Sequence, residues 1–350
     1  LYSHLKSWKL ARKSYRLIEN RGFTLTELLV TTIIGGLLIS GLMGLVIELL
    51  TTDAREIART ETQQEMQMAL DYISRDMREA VYIYDGACLD GQDVDGKTEG
   101  ASDKCAGLFK NIITNEIPDS SPILAFWRLD DYPETACPDG GEDVNCIAAR
   151  SHTLVVYLLA KNTTGSPWKG KARLLRYEYK KFNSDGSKIV EYIDPTAANS
   201  EGVSGGFLSW PKDADSPPTL AINSQNAVTL VDFVDSRGID DPDLKKALGD
   251  QSIKVECPED YVVTPTTAKL PGEKGEVRNF YACIKVPGDI AVGSDEAFGA
   301  ESGTFNQKAV IFLRGNASGK PGIKTSNEGF MPAIQTEVLN RSNRDKVPGQ

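Results

Sequence analysis

Three groups of side chains have types and spacings that could do chemistry: one acid in a costly place, six cysteines, and aspartates gathered in glycine-rich loops. The acid is Glu27, in the stretch RGFTLTELLV from Arg21 to Val30. No charge follows between Leu28 and Ile47, a run that matches the about 20 residues needed to span a bilayer core. An acid deep in such a helix costs roughly 2.5–3.5 kcal/mol on insertion scales. Glu27 therefore either stays wet at the membrane surface, as Glu48 would at the far end, or is retained to meet a cation.

The six cysteines, Cys88, Cys105, Cys137, Cys146, Cys257 and Cys283, all follow the apolar run. An even count beyond a membrane segment reads as disulfides in an exported head. No pair has the CxxC spacing of a zinc knuckle or a thiol–disulfide oxidoreductase. Pairing between sequence neighbours is the simplest expectation: Cys88–Cys105, Cys137–Cys146 across the tight loop CPDGGEDVNC, and Cys257–Cys283.

Asp90, Asp93 and Asp95 offer oxygen ligands of the kind calcium takes, although Gly91 stands where a complete calcium loop has its first Asp. Asp139, Glu142 and Asp143 form a second acidic cluster, and the DDPD run at 240–243 a third. A solvated loop is the competing reading of each. Calcium is the one ligand left open, and no other cofactor is expected.

Catalytic patterns are poor. GSPWKGKA, Gly165 to Ala172, approaches a phosphate-binding loop but has Ala172 where Ser or Thr is needed, and it reads as a hairpin loop. His152 is the only histidine beyond the apolar run, too few for a triad with spare partners or a multi-histidine zinc site. No G-x-S-x-G occurs, and paired carboxylates are plentiful but unplaced. No enzymatic activity is expected.

These residues depend on two kinds of element. Residues 1–22 carry six basic side chains (Lys6, Lys9, Arg12, Lys13, Arg16, Arg21) against one acid, Glu19, so the remainder is more acidic than the net charge of −10 for the whole chain. A basic front before an apolar run places the front in the cytoplasm and the rest outside. A net acidic chain also argues against a nucleic-acid partner. A cleavable secretory signal fits less well, because its apolar region is shorter, about 7–15 residues.

From Phe23 to about Tyr84 there is no proline. Met66, Leu70, Ile73, Met77, Val81 and Tyr84 recur at steps of three and four, one face of a helix. The expectation is one helix of about 60 residues, roughly 90 Å long, with an apolar first half (23–50) and an amphipathic second half (51–84) that needs a partner for its stripe. Gly36, Ser40 and Gly44 fall four apart, a spacing that lets membrane helices approach closely.

Beyond a Gly- and Asp-rich loop come short strand-like runs: PILAFWRL, HTLVVYLLA, ARLLRYEYKKF, KIVEYI, AVTLVDFV, SIKVEC, NFYACIKV and KAVIFLR. HTLVVYLLA is apolar almost throughout, as a strand covered on both faces would be. The head, 85–318, is therefore sheet-rich, and 319–350 reads as a loose tail. The fold class expected is α+β, a long N-terminal helix packed on an antiparallel sheet with disulfides.

A basic leader, then Gly22–Phe23, then Glu27 four residues after the Phe, then an apolar helix: this combination resembles the signal of type IV prepilins and type II secretion pseudopilins. The resemblance covers about the first 50 residues. It implies cleavage by a prepilin peptidase between Gly22 and Phe23 and methylation of the new amine at Phe23. It also implies that Glu27 neutralises the amine of a neighbouring subunit during assembly, with other pilins, an inner-membrane platform and the lipid bilayer as partners. Major pilins often carry a proline 22 residues into the mature chain, whereas this chain has Gly44 there. Some pseudopilins bind calcium.

The head is larger than that of usual major pilins, which implies a minor subunit. ALDYISRDMREAVYIYD and AVIFLRGNA resemble the hormogonium polysaccharide secretion pseudopilins, which are linked to polysaccharide export. The function expected is thus a minor pseudopilin serving secretion or motility, anchored once in the inner membrane with an extracytoplasmic head. The alternative is a signal-anchored enzyme or carbohydrate-binding protein whose head acts alone.

Overall fold

The computed structural model describes residues 22–90, 107–114, 117, 119–136, 149–197, 207, 210–211, 218–247, 257–285 and 307–340. It divides into two units, Leu1–Thr52 and Asp53–Gln350. The first helix, α1 (Leu25–Arg78), begins in one and ends in the other. Within the first unit its side chains are exposed on nearly all sides and its apolar window has a mean hydropathy of 2.3, enough by length and composition to cross a membrane.

In the second unit α1 is amphipathic. Ala58, Thr62, Met66, Ala69, Leu70, Ile73 and Met77 are buried at helical spacing against a curled antiparallel sheet. The helix stops at Arg78, earlier than the periodicity predicts. Ala80–Ile83 is instead β1, because the run AVYI is β-branched and aromatic and pairs with β3 (Ser120–Asp131).

A small parallel pair is formed by β2 (Ile112–Ile113) and β6 (Leu220–Ala221). The main sheet adds β4 (Arg150–Lys161), β5 (Ala172–Tyr179), β7 (Ala227–Val234), β8 (Tyr261–Thr264), β9 (Phe280–Lys285), β10 (Lys308–Asn316) and β11 (Phe330–Leu339), in the order β1-β3-β4-β5-β7-β10-β9-β8 with β11 beside β10. Strand β4 pairs along its length with β3 and, from Leu154 to Lys161, with β5. Val155, Tyr157 and Leu159 enter the core that α1 covers, while Leu154, Val156 and Leu158 enter a second core on the opposite face. This is why the strand reads as a continuous apolar run.

The second core is capped by loop aromatics. Trp210 meets Trp127 edge to face at 4.9 Å between centroids, and Tyr192 stacks on Tyr179.

Two expectations are corrected. KIVEYI is not a strand: only Lys188 makes an isolated bridge, to Phe182, and 190–197 are turns and irregular chain around Pro195. The segment from 319 is not loose as far as residue 340, since Phe330–Leu339 forms β11, paired antiparallel with β10 with one register shift between Arg314 and Asn316. Its Gly- and Pro-bearing start, 319–329, is a turn region that leads into that strand. Residues 341–350 and SIKVE at 252–256 lie outside the described residues.

β1 is a sheet edge, and amide side chains occupy its free backbone groups. Ile83 N–H donates to Gln307 Oε1 at 2.8 Å, and Gln307 Nε2 donates back to Ile83 O at 2.9 Å. Asn340 Nδ2 donates to Ala80 O at 3.2 Å, and Gln307 N–H donates to Asn340 Oδ1 at 2.7 Å. An edge otherwise open to pairing is thereby filled from within the chain.

Candidate assembly helix and its anchorage in the head

Helix α1 starts at a built cap. Thr24 precedes it, Glu27 N–H donates to Thr24 Oγ1 at 3.3 Å, and Leu28 N–H donates to Thr24 O at 3.1 Å. Thr-x-x-Glu is the capping-box pattern, so Glu27 sits in the first turn, where the helix dipole favours an anion. The capping role of Thr24 is a signal the sequence held but the sequence reading did not use. The Glu27 carboxylate itself has no hydrogen-bond or ion-pair partner among the described residues.

Further along, polar side chains are satisfied locally. Thr31 Oγ1 donates to Glu27 O at 2.9 Å and Thr32 Oγ1 to Leu29 O at 2.8 Å, which removes the cost of carrying hydroxyls into an apolar setting. An added Cβ on Gly35, Gly36, Gly41 or Gly44 would meet nothing within 4 Å. No contact among the described residues therefore explains these glycines.

The lower half of α1 is held by a buried charge cluster. Asp76 accepts hydrogen bonds from Arg128 Nη1 at 2.5 Å, Arg176 Nε at 2.8 Å and Tyr157 Oη at 2.7 Å. Glu178 lies on the far side of both arginines, 2.8 Å from Arg128 Nη2 and 2.6 Å from Arg176 Nη1. Burial opposes the charge on Arg176, but hydrogen bonds and attraction from Asp76 outweigh it and raise the pKa. Burial likewise works against ionised Glu178, yet Lys180 and Arg176 hold its pKa below the usual value. The same forces keep Tyr157 protonated: burial first, then the Asp76 charge.

Near the start of the second unit, the turn after β10 clasps α1. Lys320 Nζ reaches Glu65 at 2.9 Å, and Arg59 Nη2 donates to Glu328 O at 2.6 Å. Gly322, at φ +81°, lies so close that a Cβ there would be 2.7 Å from Arg55 N.

Residues 19–43 match the model of the prokaryotic N-terminal methylation motif. The chain carries the prepilin-type signal of type IV pilins and pseudopilins. Such a prepilin-type signal marks a substrate of prepilin peptidase that assembles with other pilins, a structural filament subunit. With the apolar part of α1 it fits a single-pass, membrane-anchored protein. No curated protein and no solved structure matches the chain.

The other expected sites fall in several places. Gly22 and Phe23 precede α1, with Phe23 exposed. Cys257–Cys283 is a disulfide joining β9 to the segment before β8, and Cys88 is also disulfide-bonded. Cys105, Cys137 and Cys146 lie outside the described residues, as do Asp93, Asp95, Asp139, Glu142 and Asp143. Asp90 accepts from the Thr266 hydroxyl. Asp241 caps the short helix Pro242–Ala247 through Leu244 N–H at 2.8 Å, and Asp240 pairs with Lys245 at 3.0 Å.

GSPWKGKA lies in the β4–β5 hairpin loop, as expected. Its Lys169 and Gly170 N–H groups donate to the Asp232 carboxylate at 2.9 and 3.0 Å, so an internal anion already occupies the place a phosphate would need. His152 is a core residue edge-on to Phe207, with Nδ1 3.2 Å from Asp194.

Proposed function

We propose that this chain is a minor pseudopilin: processed between Gly22 and Phe23, methylated at Phe23, and assembled through α1 into a pilus-like filament that serves secretion or motility. The observation that carries the reading is Glu27. Its backbone is used to start the helix, while its carboxylate has no partner among the described residues. In an apolar setting a free amine and a carboxylate each need a counter-charge. The amine freed at Phe23 of one subunit and Glu27 of the next satisfy one another, and the pair rewards a single axial register.

Gly36 and Gly44, with Ser40 midway between them, fit the same reading, because the glycines' lack of a side chain is not required by any contact among the described residues. The Cys257–Cys283 disulfide supports an extracytoplasmic head, since such bonds persist in oxidising compartments. The Asp76 cluster gives the assembling helix a rigid grip on that head. Mass spectrometry of the native protein tests the processing step. The expected N-terminal peptide begins at methylated Phe23, and a mature chain that retains residues before Gly22 would overturn the reading.

A further inference from the structure

The end of the head at which α1 enters is built from two loops, 162–171 between β4 and β5 and 317–329 between β10 and β11. Gly315 of β10 lies against Thr62 and Met66, whereas Arg128 and Arg176 meet Asp76, so the early turns of α1 in this unit run toward these loops. The loops touch one another, since a Cβ on Gly319 would be 2.2 Å from Lys169 O. The second also touches α1, through Gly322 at Arg55 N. Arg55 follows Leu50, the last exposed leucine of α1, by five residues. Five residues span about 7.5 Å as helix and at most about 18 Å fully extended. A headgroup layer is about 5–8 Å deep. Whatever the angle between the two units, the loops are therefore tethered within reach of the surface at which an inserted apolar run ends.

The charge on the loops is one-sided. Together they hold Lys169, Lys171, Lys320 and Lys324 against a single acid, Glu328, in a chain whose net charge is −10. Lys320 is turned inward to Glu61 and Glu65. Glu328 faces Arg55 at 3.8 Å and accepts from Lys324 N–H. Lys169, Lys171 and Lys324 are exposed, and apart from the attraction between Lys324 and Glu328 none has an ionic partner among the described residues. On the adjoining turns of α1, Arg55 and Arg59 match Asp53 and Glu56, so the excess belongs to the loops. Trp168, 38% exposed, stands next to Lys169, with Arg173 5.9 Å from its ring centre. Lysine is depleted from protein–protein interfaces. Tryptophan is enriched at the membrane–water boundary, and lysines there are attracted to anionic lipid. Three free ammonium groups around one indole thus fit a layer of phosphates better than a protein surface.

We propose that these two loops dock the head on the anionic phospholipid headgroups of the bilayer in which the chain is anchored, with Trp168 at headgroup level and Lys169, Lys171 and Lys324 against the phosphates. The proposal rests on the reading of α1 as a membrane anchor. The test places the full chain in lipid nanodiscs of phosphatidylcholine, with or without phosphatidylglycerol, each holding a headgroup-nitroxide lipid that quenches nearby indoles. Quenching of Trp168 is taken as the difference between the unaltered chain and Trp168→Phe, so that the other tryptophans cancel. It should be at least twofold stronger in the phosphatidylglycerol discs. The excess should vanish in about 1 M salt, where the screening length is about 3 Å. Lys169→Gln combined with Lys171→Gln and Lys324→Gln, all at exposed positions, should remove it as well. Equal quenching in the two kinds of disc, or an excess that survives the three substitutions, would overturn the proposal while leaving the anchor intact. A chain that enters neither kind of disc would instead overturn the anchoring reading, and the docking with it.

Discussion

Asp76 Oδ2 accepts a hydrogen bond from Arg176 Nε at 2.8 Å, across the interface between α1 and the centre of the sheet. One carboxylate on the last turn of the helix thus meets Arg128 of β3, Arg176 of β5 and Tyr157 of β4, the last two directly opposite one another in the sheet. Removing one member of such a buried group leaves its partners charged and unpaired, a loss of about 3–5 kcal/mol. Asp76→Ala is expected to lower stability by about that amount in urea unfolding of the full chain, with prepilin processing unchanged. A loss below about 1 kcal/mol, the range of exposed pairs, would show that the cluster does not hold the helix.

The filled edge of β1 predicts a second loss. Gln307→Ala would leave both the N–H and the C=O of Ile83 without their partners in a buried site. Each unmet group costs about 1–3 kcal/mol, so a total of roughly 2–6 kcal/mol is expected. Hydrogen exchange at the Ile83 amide should accelerate more than at the amides of β4. Unchanged protection at Ile83 would contradict the assignment.

Two glycines with positive φ separate strain from crowding. Gly165, at φ +90°, has open space around an added Cβ, whereas Gly322, at φ +81°, lies against the backbone of Ala54 and Arg55. A non-glycine residue in this region costs about 1–2 kcal/mol on its own. Gly165→Ala should show about that loss, and Gly322→Ala a larger one, because the turn must also move away from the helix. Equal losses would mean that the clasp on α1 is not formed.

Asp194 supplies a pH dependence. Burial alone would raise its pKa, but hydrogen bonds from His152 and Thr196 outweigh this and hold it at about 2, below the usual value of 3.8. A depressed carboxylate stabilises the fold above its unfolded pKa, and that contribution disappears as pH falls from about 4 to about 2. The shift corresponds to at most about 2–3 kcal/mol. Asp194→Asn should flatten the stability profile across that window. An unchanged profile would show that Asp194 does not contribute to it.

The sequence disclosed those parts of the fold that rest on local patterning. The apolar run ending at Ile47 and the stripe from Met66 to Met77 announce α1, and the unbroken apolar β4 announces a strand with two covered faces. Less legible was the end of the helix, because Val81 and Tyr84 keep the helical spacing while their β-branched and aromatic types favour a strand that only β3 can complete. The ordered turn and strand after Ser318 were hidden for the same reason: Gly319, Pro321 and Gly322 look like a tail until β10 supplies a partner. At the signal, Gly22, Phe23 and Glu27 could be read directly, since their meaning lies in order and spacing. The Asp76 cluster could not, because its members are scattered from residue 76 to residue 178 and only sheet register brings them together.

The most direct test of the account is the fate of Glu27→Gln, which keeps the shape and the helix cap but removes the charge. Measured as the fraction of processed subunit recovered in sheared filaments, incorporation should fall at least tenfold while cleavage at Phe23 proceeds as in the unaltered chain. Incorporation of Glu27→Gln at the unaltered level would contradict the claim that this carboxylate is kept for the amine of a neighbour.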